Sequence, residues 1–267
     1  MDQGPSHPLE TAAPPFERLR VGAFVAHASA QGPWSPGFCH GGGPAALIVH
    51  AASGLPTPTE MAIARVTVDL MRPVPTGELA VETRIARQGK KLQLIDVEIR
   101  AAGTLVVRGQ VLRLRREEQP DATALPTADY AGPARGLPTQ PPTGVGFSRL
   151  FEMRKIDGSF DTLGPGSVWF GLHGDLVANE PTSGAMRAIA TADFANGVAS
   201  VVPFDRWSYP NTDLTLALIR EPIGRWILVD AECWAGGEGR GVTYARLGDE
   251  QGWFGRSMQT TIFERRG

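Results

Sequence analysis

"LTLALIREPI", residues 214–223, is the stretch that decides how this chain is built. Leucine occupies every second position from 214 to 218, the period-2 pattern of a strand with one buried face. A second stretch, "VTVDLMRPVP" at residues 66–75, superposes on it with a constant separation of 148 residues, as from Arg72 to Arg220. Val66, Val68 and Leu70 superpose on Leu214, Leu216 and Leu218, so the same alternate positions are apolar in both stretches. The chain therefore carries an internal repeat.

The surroundings of the two stretches also match. Each is preceded by an Ala-rich helical segment, "GGGPAALIVHAASG" in the first half and "TSGAMRAIATADFANG" in the second. Each is followed by three alternating segments and a basic end, "LRLRR" or "IFERR". Tight turns at residues 88–90 and 102–103 join neighbouring segments as hairpins, which predicts an antiparallel sheet. One helix on one sheet in each half predicts an α+β fold.

Helix ends can be placed from their capping residues. Pro44 suits the first turn of the first helix, and Ser53-Gly54 indicates its end. In the second half Thr182 or Ser183 can cap the start of the helix, and Gly197 marks its expected end.

A linker divides the halves. Residues 118–144 are rich in Pro, Gly and Ala and show no apolar period. The predicted domains are therefore residues 1–117, which include a polar, Pro-rich tail at 1–15, and residues 145–267.

Composition restricts the class of function. The chain has 267 residues and a formal net charge of −2, which argues against a nucleic-acid-binding protein. It has no apolar run long enough to cross a bilayer and no secretory signal, so we expect a cytoplasmic protein without membrane insertion. Cys39 and Cys233 are expected to be buried free thiols, and no residue spacing typical of a metal site is found.

The sequence resembles the double-hotdog acyl-CoA thioesterases, the thioesterase II-like group and its relatives, over residues 16–266. The resemblance rests on "HGGGPAAL", "VTVDLMRPVP", "NTDLTLALIREPIGRWILVDAE" and "GRSMQTTIFERR". It implies two tandem hotdog domains, each a long helix wrapped by a curved antiparallel sheet, with the acyl-thioester site between them. It also implies hydrolysis by a water molecule that an Asp, a Gln and a Thr of the second domain orient. Coenzyme A thioesters are then substrates, and no cofactor is implied.

Asp213 matches the family's Asp, seven residues before Arg220. The repeat places Arg65 at the equivalent position of the first half, so only the second half has a carboxylate there. An ionised carboxylate can orient or deprotonate an attacking water. The alternative is an Asp that bonds to the loop at the entrance of a strand.

Gln259 matches the family's Gln, and its amide can both donate to and accept from a water. Arg265 lies one position further along than the family spacing, so Thr260 is the alternative for that place. Another interpretation of Gln259 is an ordinary polar residue of a terminal strand. The family's Thr is missing, since Cys233, Trp234 and Ala235 follow Glu232. Thr215, on the same face as Asp213, is the candidate substitute.

Glycines 41–43 precede the first helix. Unpaired N–H groups of Gly41, Gly42 and Gly43 could polarise a thioester carbonyl, aided by the helix dipole. They could equally form an ordinary connection. His40 could contact the substrate or only satisfy a local hydrogen bond.

We therefore expect an acyl-CoA thioesterase that releases a free acid and coenzyme A. The alternative is a non-catalytic double-hotdog protein that binds acyl thioesters or lipids, which the missing Thr favours. A third interpretation is an oligomeric partner that associates through its sheet edges, and a homo-oligomer is compatible with each of the three.

Overall fold

A computed structural model describes residues 13–118 and 127–266. The described residues are organised around one large antiparallel sheet, and their three α-helices pack on one face of it. Residues 1–12 of the polar tail and residues 119–126 of the predicted linker lie outside these ranges. The strands and helices of the first half, in chain order, are β1 (Phe16–Arg20), β2 (Ala23–Ala26), α1 (Gly42–Ser53), β3 (Met61–Leu70), β4 (Gly77–Gln88), β5 (Leu92–Ala101) and β6 (Thr104–Arg115).

The second half repeats this order with additions. Its strands and helices are β7 (Leu137–Pro138), β8 (Phe151–Asp157), β9 (Gly166–Leu172), α2 (Gly184–Ala192), α3 (Ala195–Val198), β10 (Trp207–Ser208), β11 (Asp213–Leu218), β12 (Trp226–Ala235), β13 (Arg240–Asp249), β14 (Gly252–Ile262) and β15 (Glu264–Arg265). β10 and β15 pair with each other in a small separate sheet.

The main sheet has 13 strands in the order β1-β2-β4-β5-β6-β3-β11-β14-β13-β12-β9-β8-β7. Read outward from the centre, both halves follow the same succession of six equivalent strands, and β7 adds an outermost strand to the second half. The halves meet where β3 pairs antiparallel with β11. There Thr67 lies opposite Thr215, its counterpart 148 residues later, so an approximate twofold axis passes between these two residues.

The predicted turns and caps follow from local chemistry. Ala102 and Gly103 both have positive φ, the geometry of a two-residue hairpin turn that matches strand twist. α1 ends at Ser53 with Gly54 as its C-cap, as expected, and the side chain of Ser183 accepts from the Met186 N–H at the start of α2. α1 is buried on almost every side, as a helix wrapped by a sheet must be.

The second helix differs from the expectation of one long helix that ends at Gly197. α2 stops after nine residues, and Asp193 is its C-cap before the four-residue α3. Asp is a poor residue for a helix interior because its short side chain competes for nearby backbone groups. The interruption places this carboxylate where α2 packs against α1.

Arg72 and Arg220, the arginines of the repeat, bond to the β5–β6 hairpin and to the β13–β14 hairpin respectively. Arg72 donates to the Leu105 carbonyl at 3.1 Å. Arg220 makes a two-pronged bond to Asp249, whose carboxylate is fully buried. The repeat places Ala101 at the position of Asp249, so only the second half has this ion pair.

Within the described residues, no helix is both long and apolar enough to cross a membrane.

Candidate active site

A cavity of about 430 Å³ opens where the two halves meet. The first half contributes the segment before α1 and the loop after β3, and the second half contributes the end of α2 and the approach to β11. Its walls include Cys39, His40, Gly41, Arg72, Asp193, Asn196, Asn211 and Thr212. Binding sites occur preferentially in such clefts between domains or halves of a fold.

The carboxyl end of α2 meets the amino end of α1 in the wall of this cavity. Asp193 is the C-cap of α2, and Gly41 is the N-cap of α1. A Cβ atom at position 41 would lie 2.9 Å from Asp193 Oδ2 and 2.9 Å from Leu70 Cδ1. Glycine is therefore needed at 41 because the Asp193 carboxylate lies directly against its backbone.

His40 and Asp193 form a buried pair. His40 Nδ1 lies 2.9 Å from Asp193 Oδ2, and the two side chains are 11% and 4% exposed. The imidazole ring also packs against the rings of Phe147 and Phe194, with centroids 5.1 Å and 4.4 Å away. Together these contacts fix the orientation of the imidazole.

The protonated nitrogen of His40 follows from its neighbours. Nδ1 is also 3.2 Å from the Gly42 N–H, but it cannot donate to Asp193 and accept from Gly42 at once. A carboxylate only accepts, so the shorter contact requires Nδ1 to carry the hydrogen. Nε2 is then the ring nitrogen with a lone pair, which is the tautomer of a general base.

A chain of polar contacts supports Asp193 from behind. Asn211 Nδ2 donates to Asp193 Oδ1 at 3.0 Å and to the Asp193 carbonyl at 3.2 Å. Thr261 of β14 donates in turn to Asn211 Oδ1 at 3.3 Å. These bonds tie the carboxylate to the sheet as well as to α2, so both of its oxygens are held in place.

Glycines 41–43 do not all precede the helix, because α1 begins at Gly42, and they differ in their bonding. The N–H of Gly43 donates to the His40 carbonyl at 3.0 Å, whereas the N–H of Gly41 has no acceptor among the described residues. Gly41 lines the cavity. An unpaired N–H at the amino end of a helix, where the dipole is positive, is suited to an oxygen that gains negative charge.

Cys39 also lines the cavity, but its thiol is unsuited to attack. Burial raises the pKa of Cys39 to about 12. The thiolate is the nucleophilic form of cysteine, and this thiol does not supply it near neutral pH. Both cysteines are free and half-buried.

Asp213 and Thr215 lie together on the outer face of the sheet. Thr215 is paired with Met258, which is 54% exposed, and Asp213 precedes it by two residues on the same face. Asp213 Oδ1 accepts from the Thr260 N–H at 3.3 Å and Oδ2 from the Thr212 hydroxyl at 3.3 Å. Thr212, immediately before Asp213, belongs to the cavity wall. The catalytic roles of Asp213 and Thr215 stay predictions.

Gln259 lies on the opposite, inner face of β14 and is fully buried. Its Nε2 donates to the Ala192 carbonyl at 2.6 Å, next to Asp193. Its Oε1 has no partner among the described residues. The structure therefore does not bring Gln259 together with Asp213, and it places Gln259 beside the end of α2. Its role in orienting water also stays a prediction.

Asp193 and Asn211 are the site residues that sequence reasoning missed. The signal for Asp193 was an acidic residue within the Ala-rich segment "RAIATADFANG". Such a residue indicates a helix end more than a helix interior. Asn211 was noted only as a turn residue beside Asp213, because its contact with Asp193 spans 18 residues.

Two family sequence models match the chain. The model of the acyl-CoA thioesterase N-terminal domain matches residues 30–114, and that of the acyl-CoA thioesterase C-terminal domain matches residues 121–263. The second match alone covers more than half of the chain. The chain belongs to the acyl-CoA thioesterase family. The resemblance stated from the sequence is therefore confirmed.

Solved structures of similar shape support a hotdog fold for this thioesterase family member. A conserved hot dog-fold protein from Alicyclobacillus acidocaldarius is 16% identical, with a TM-score of 0.77 over 98% of this chain and 100% of that chain. An acyl-CoA thioesterase II from Mycobacterium marinum is 14% identical, with a TM-score of 0.65 over 94% and 95%. The tesB protein of Mycobacterium avium subspecies paratuberculosis is 16% identical, with a TM-score of 0.66 over 96% of each chain. No curated protein matches the chain. At these identities the structural likeness establishes the fold alone.

Proposed function

We propose that this family member hydrolyses acyl-CoA thioesters in the cavity between its halves. The observation that carries the proposal is the buried His40–Asp193 pair beside the N–H of Gly41, for which the described part of the chain offers no acceptor. Water attack on an acyl group requires a base, a group that orients the base and a hydrogen-bond donor for the oxyanion.

The proposed reaction begins with a water beside His40. Nε2 takes a proton from this water as its oxygen attacks the thioester carbon, and Asp193 stabilises the imidazolium that forms, as the Asp does in a Ser-His-Asp triad. The electron pair of the C=O bond moves to oxygen, which accepts a hydrogen bond from the Gly41 N–H. The electron pair on the oxyanion then re-forms the C=O bond as the C–S bond breaks, the leaving sulfur takes the proton from His40, and a free acid and a coenzyme A thiol are released.

The arrangement predicted from the sequence assigns the base to Asp213 instead. The family resemblance supports it, and so does the position of Asp213 one residue beyond the cavity wall. On that arrangement Thr215 and Gln259 would help to position the water. Gln259 lies on the opposite face of the sheet from Asp213 and Thr215, and this separation favours His40 and Asp193 as the catalytic pair.

A matched pair of substitutions separates these two arrangements. Free-thiol release is measured with a panel of acyl-CoAs for the wild type, Asp193→Asn and Asp213→Asn, which make the same chemical change. We expect Asp193→Asn to lower kcat by roughly a hundredfold or more, the typical contribution of acid–base catalysis. A large loss in Asp213→Asn with normal activity in Asp193→Asn would overturn the His40–Asp193 assignment.

The binding interpretation is tested in the same experiment. A wild-type protein that binds acyl-CoAs by calorimetry but releases no thiol from any of them would be a binding protein, and the hydrolase proposal would be wrong.

We also propose that the two halves are tandem hotdog domains, with residues 1–117 and 145–267 joined by the linker at 118–144. Six strands of each half follow the same succession, which supports this division; the short β7, within residues 118–144, is an additional edge strand beside β8. The two free thiols support a reducing compartment, for which we propose the cytoplasm.

A further inference from the structure

Arg72 and Arg220 occupy equivalent positions of the repeat but differ in their charge partners. Arg220 is paired with the buried carboxylate of Asp249. The equivalent of Asp249 in the first half is Ala101, which carries no charge. Within the described part of the chain, the Arg72 side chain donates to the Leu105 carbonyl at 3.1 Å and forms no salt bridge. The fold therefore uses the charge of Arg220, whereas the described residues leave the charge of Arg72 without a carboxylate partner.

Arg72 lines the cavity between the halves. Among the described lining residues, Arg72 is the only Lys or Arg and Asp193 is the only Asp or Glu. The Asp193 carboxylate is already engaged, since it lies 2.9 Å from His40 Nδ1 and accepts from Asn211. The cavity wall therefore carries a positive charge at Arg72 that no carboxylate of the described chain neutralises. An anionic group is the ligand that such a guanidinium favours.

His40 and Arg72 lie on adjoining parts of the cavity wall and differ in their exposure. The Cys39 N–H donates to the Val74 carbonyl at 2.8 Å, so the segment before α1 runs beside the loop after β3. The His40 side chain is 11% exposed, whereas Arg72 is exposed to solvent. A long substrate whose reacting bond lies at His40 can therefore extend along this wall toward a cation at its solvent-exposed side.

We propose that Arg72 binds a phosphate group of coenzyme A, and that this contact sets the preference of the site for coenzyme A thioesters over thioesters without phosphate. The inference rests on the proposed thioester hydrolysis. The pantetheine arm joins the thioester to the phosphates, so the phosphates lie away from the buried base. A guanidinium presents a fork of N–H donors that matches phosphate oxygens, and the bond to Leu105 engages only Nη1.

The first test compares two substrates that share the acyl group and the pantetheine arm. The values of KM and kcat are measured for hexanoyl-CoA and for hexanoyl-pantetheine, which lacks the phosphates, with the wild type and Arg72→Gln. We expect Arg72→Gln to raise the KM for hexanoyl-CoA about fivefold or more, because a charge-assisted bond is lost. The kcat and the KM for hexanoyl-pantetheine should not change. An unchanged KM for hexanoyl-CoA, or an equal rise for both substrates, overturns the inference.

Arg84→Gln is the matched control, because it makes the same change in net charge in the same half of the chain. Arg84 pairs with Asp96, its side chain is 74% exposed, and it does not line the cavity. We expect wild-type constants for both substrates. A rise in the KM for hexanoyl-CoA equal to that in Arg72→Gln overturns the assignment to Arg72. Arg72→Met, which keeps an apolar stem, replaces Arg72→Gln if that variant does not fold.

Binding measurements separate failure of this inference from failure of the hydrolase proposal. If no thioester is hydrolysed, the proposed function is wrong, and calorimetric titration with coenzyme A and with pantetheine still tests Arg72. Tighter binding of coenzyme A than of pantetheine by the wild type, with this difference lost in Arg72→Gln, supports the inference. A wild type that binds coenzyme A no more tightly than pantetheine overturns it, and so does equal affinity for coenzyme A in the wild type and Arg72→Gln.

Discussion

The side chains of Asp193 and Gln259 connect the parts of the site at the end of α2. The Asp193 carboxylate touches the His40 imidazole, the Asn211 amide and the backbone at Gly41. Gln259 holds the Ala192 carbonyl one residue earlier. These contacts come from α1, α2, β14 and the loop before β11. The position of one carboxylate therefore depends on both halves of the chain.

Gly41→Ala tests how closely the site depends on this packing. The new Cβ would lie 2.9 Å from Asp193 Oδ2 and 3.1 Å from Oδ1, so the carboxylate must shift from its position beside His40. Because displacement of a catalytic group by about 1 Å can cost roughly a hundredfold in rate, we expect kcat to fall by that order with the fold retained. Thiol-release kinetics and circular dichroism measure the two properties.

The control for this variant is Gly132→Ala. A Cβ at Gly132 meets no atom within 4 Å, and the backbone there is extended, with φ −65° and ψ 166°. We expect wild-type kinetics from this variant. A wild-type kcat for Gly41→Ala would contradict the close packing of Asp193 on α1.

At the scale of the elements, the hairpin between β13 and β14 is held by Arg220 and Asp249. Asp249 also accepts from the N–H groups of Ile223 and Gln251, at 2.8 Å and 2.9 Å. Burial alone would raise the pKa of Asp249, but the bonds from Arg220 and the two N–H groups outweigh it and hold the pKa below the usual 3.8. Arg220, the repeat arginine of the second half, is therefore bonded to Asp249, and its role is to stabilise the fold.

Asp249→Asn should lower the free energy of unfolding by about 3 kcal/mol near pH 7, because it leaves a partly buried arginine without its charge partner. The folded state binds the Asp249 proton less tightly than the unfolded chain does. The stabilisation is therefore complete above the ordinary pKa of 3.8 and is lost as the pH falls through the lower folded value. Urea unfolding at several pH values should show the difference from the wild type shrinking below about pH 4.

Glu238→Gln is the matched control, since Glu238 pairs with Arg240 at the surface, where both side chains are mostly exposed. Such pairs contribute about 1 kcal/mol or less. Equal destabilisation by Asp249→Asn and Glu238→Gln would show that burial of the Asp249 pair does not matter.

The elements were easier to predict than the site. The alternating leucines of β11 and the turn at residues 102–103 carry local signals, so strands and hairpins follow from the sequence alone. Asp193 carries only a weak signal, because its partners lie on α1 and before β11 and no spacing connects them. Asp213 and Gln259 were grouped by resemblance, and alternation along β11 and β14 places their side chains on opposite faces of the sheet.

For the whole molecule, the pairing of β3 with β11 makes one sheet of the two halves. Leu216 lies opposite Val66 at this seam, and both are fully buried. One continuous core cluster contains residues from α1, α2 and the strands of both halves. The site lies across the same boundary. Separation of the halves would therefore abolish the cavity and would also break the sheet and the core.

We therefore expect the molecule to unfold in a single transition in spite of its two repeats. Five of the six tryptophans lie in the second half, so their fluorescence follows mainly that half, whereas far-ultraviolet circular dichroism follows both.

Leu216→Ala removes a buried side chain at the seam and should lower the free energy of unfolding by about 2 to 5 kcal/mol. Both signals should move together to the same lower urea midpoint. Ile219→Ala, at a position that is 63% exposed just beyond β11, should leave both midpoints almost unchanged. If Leu216→Ala shifts only the fluorescence transition, or if the wild type shows two separate midpoints, the halves unfold independently and β3 and β11 do not couple them.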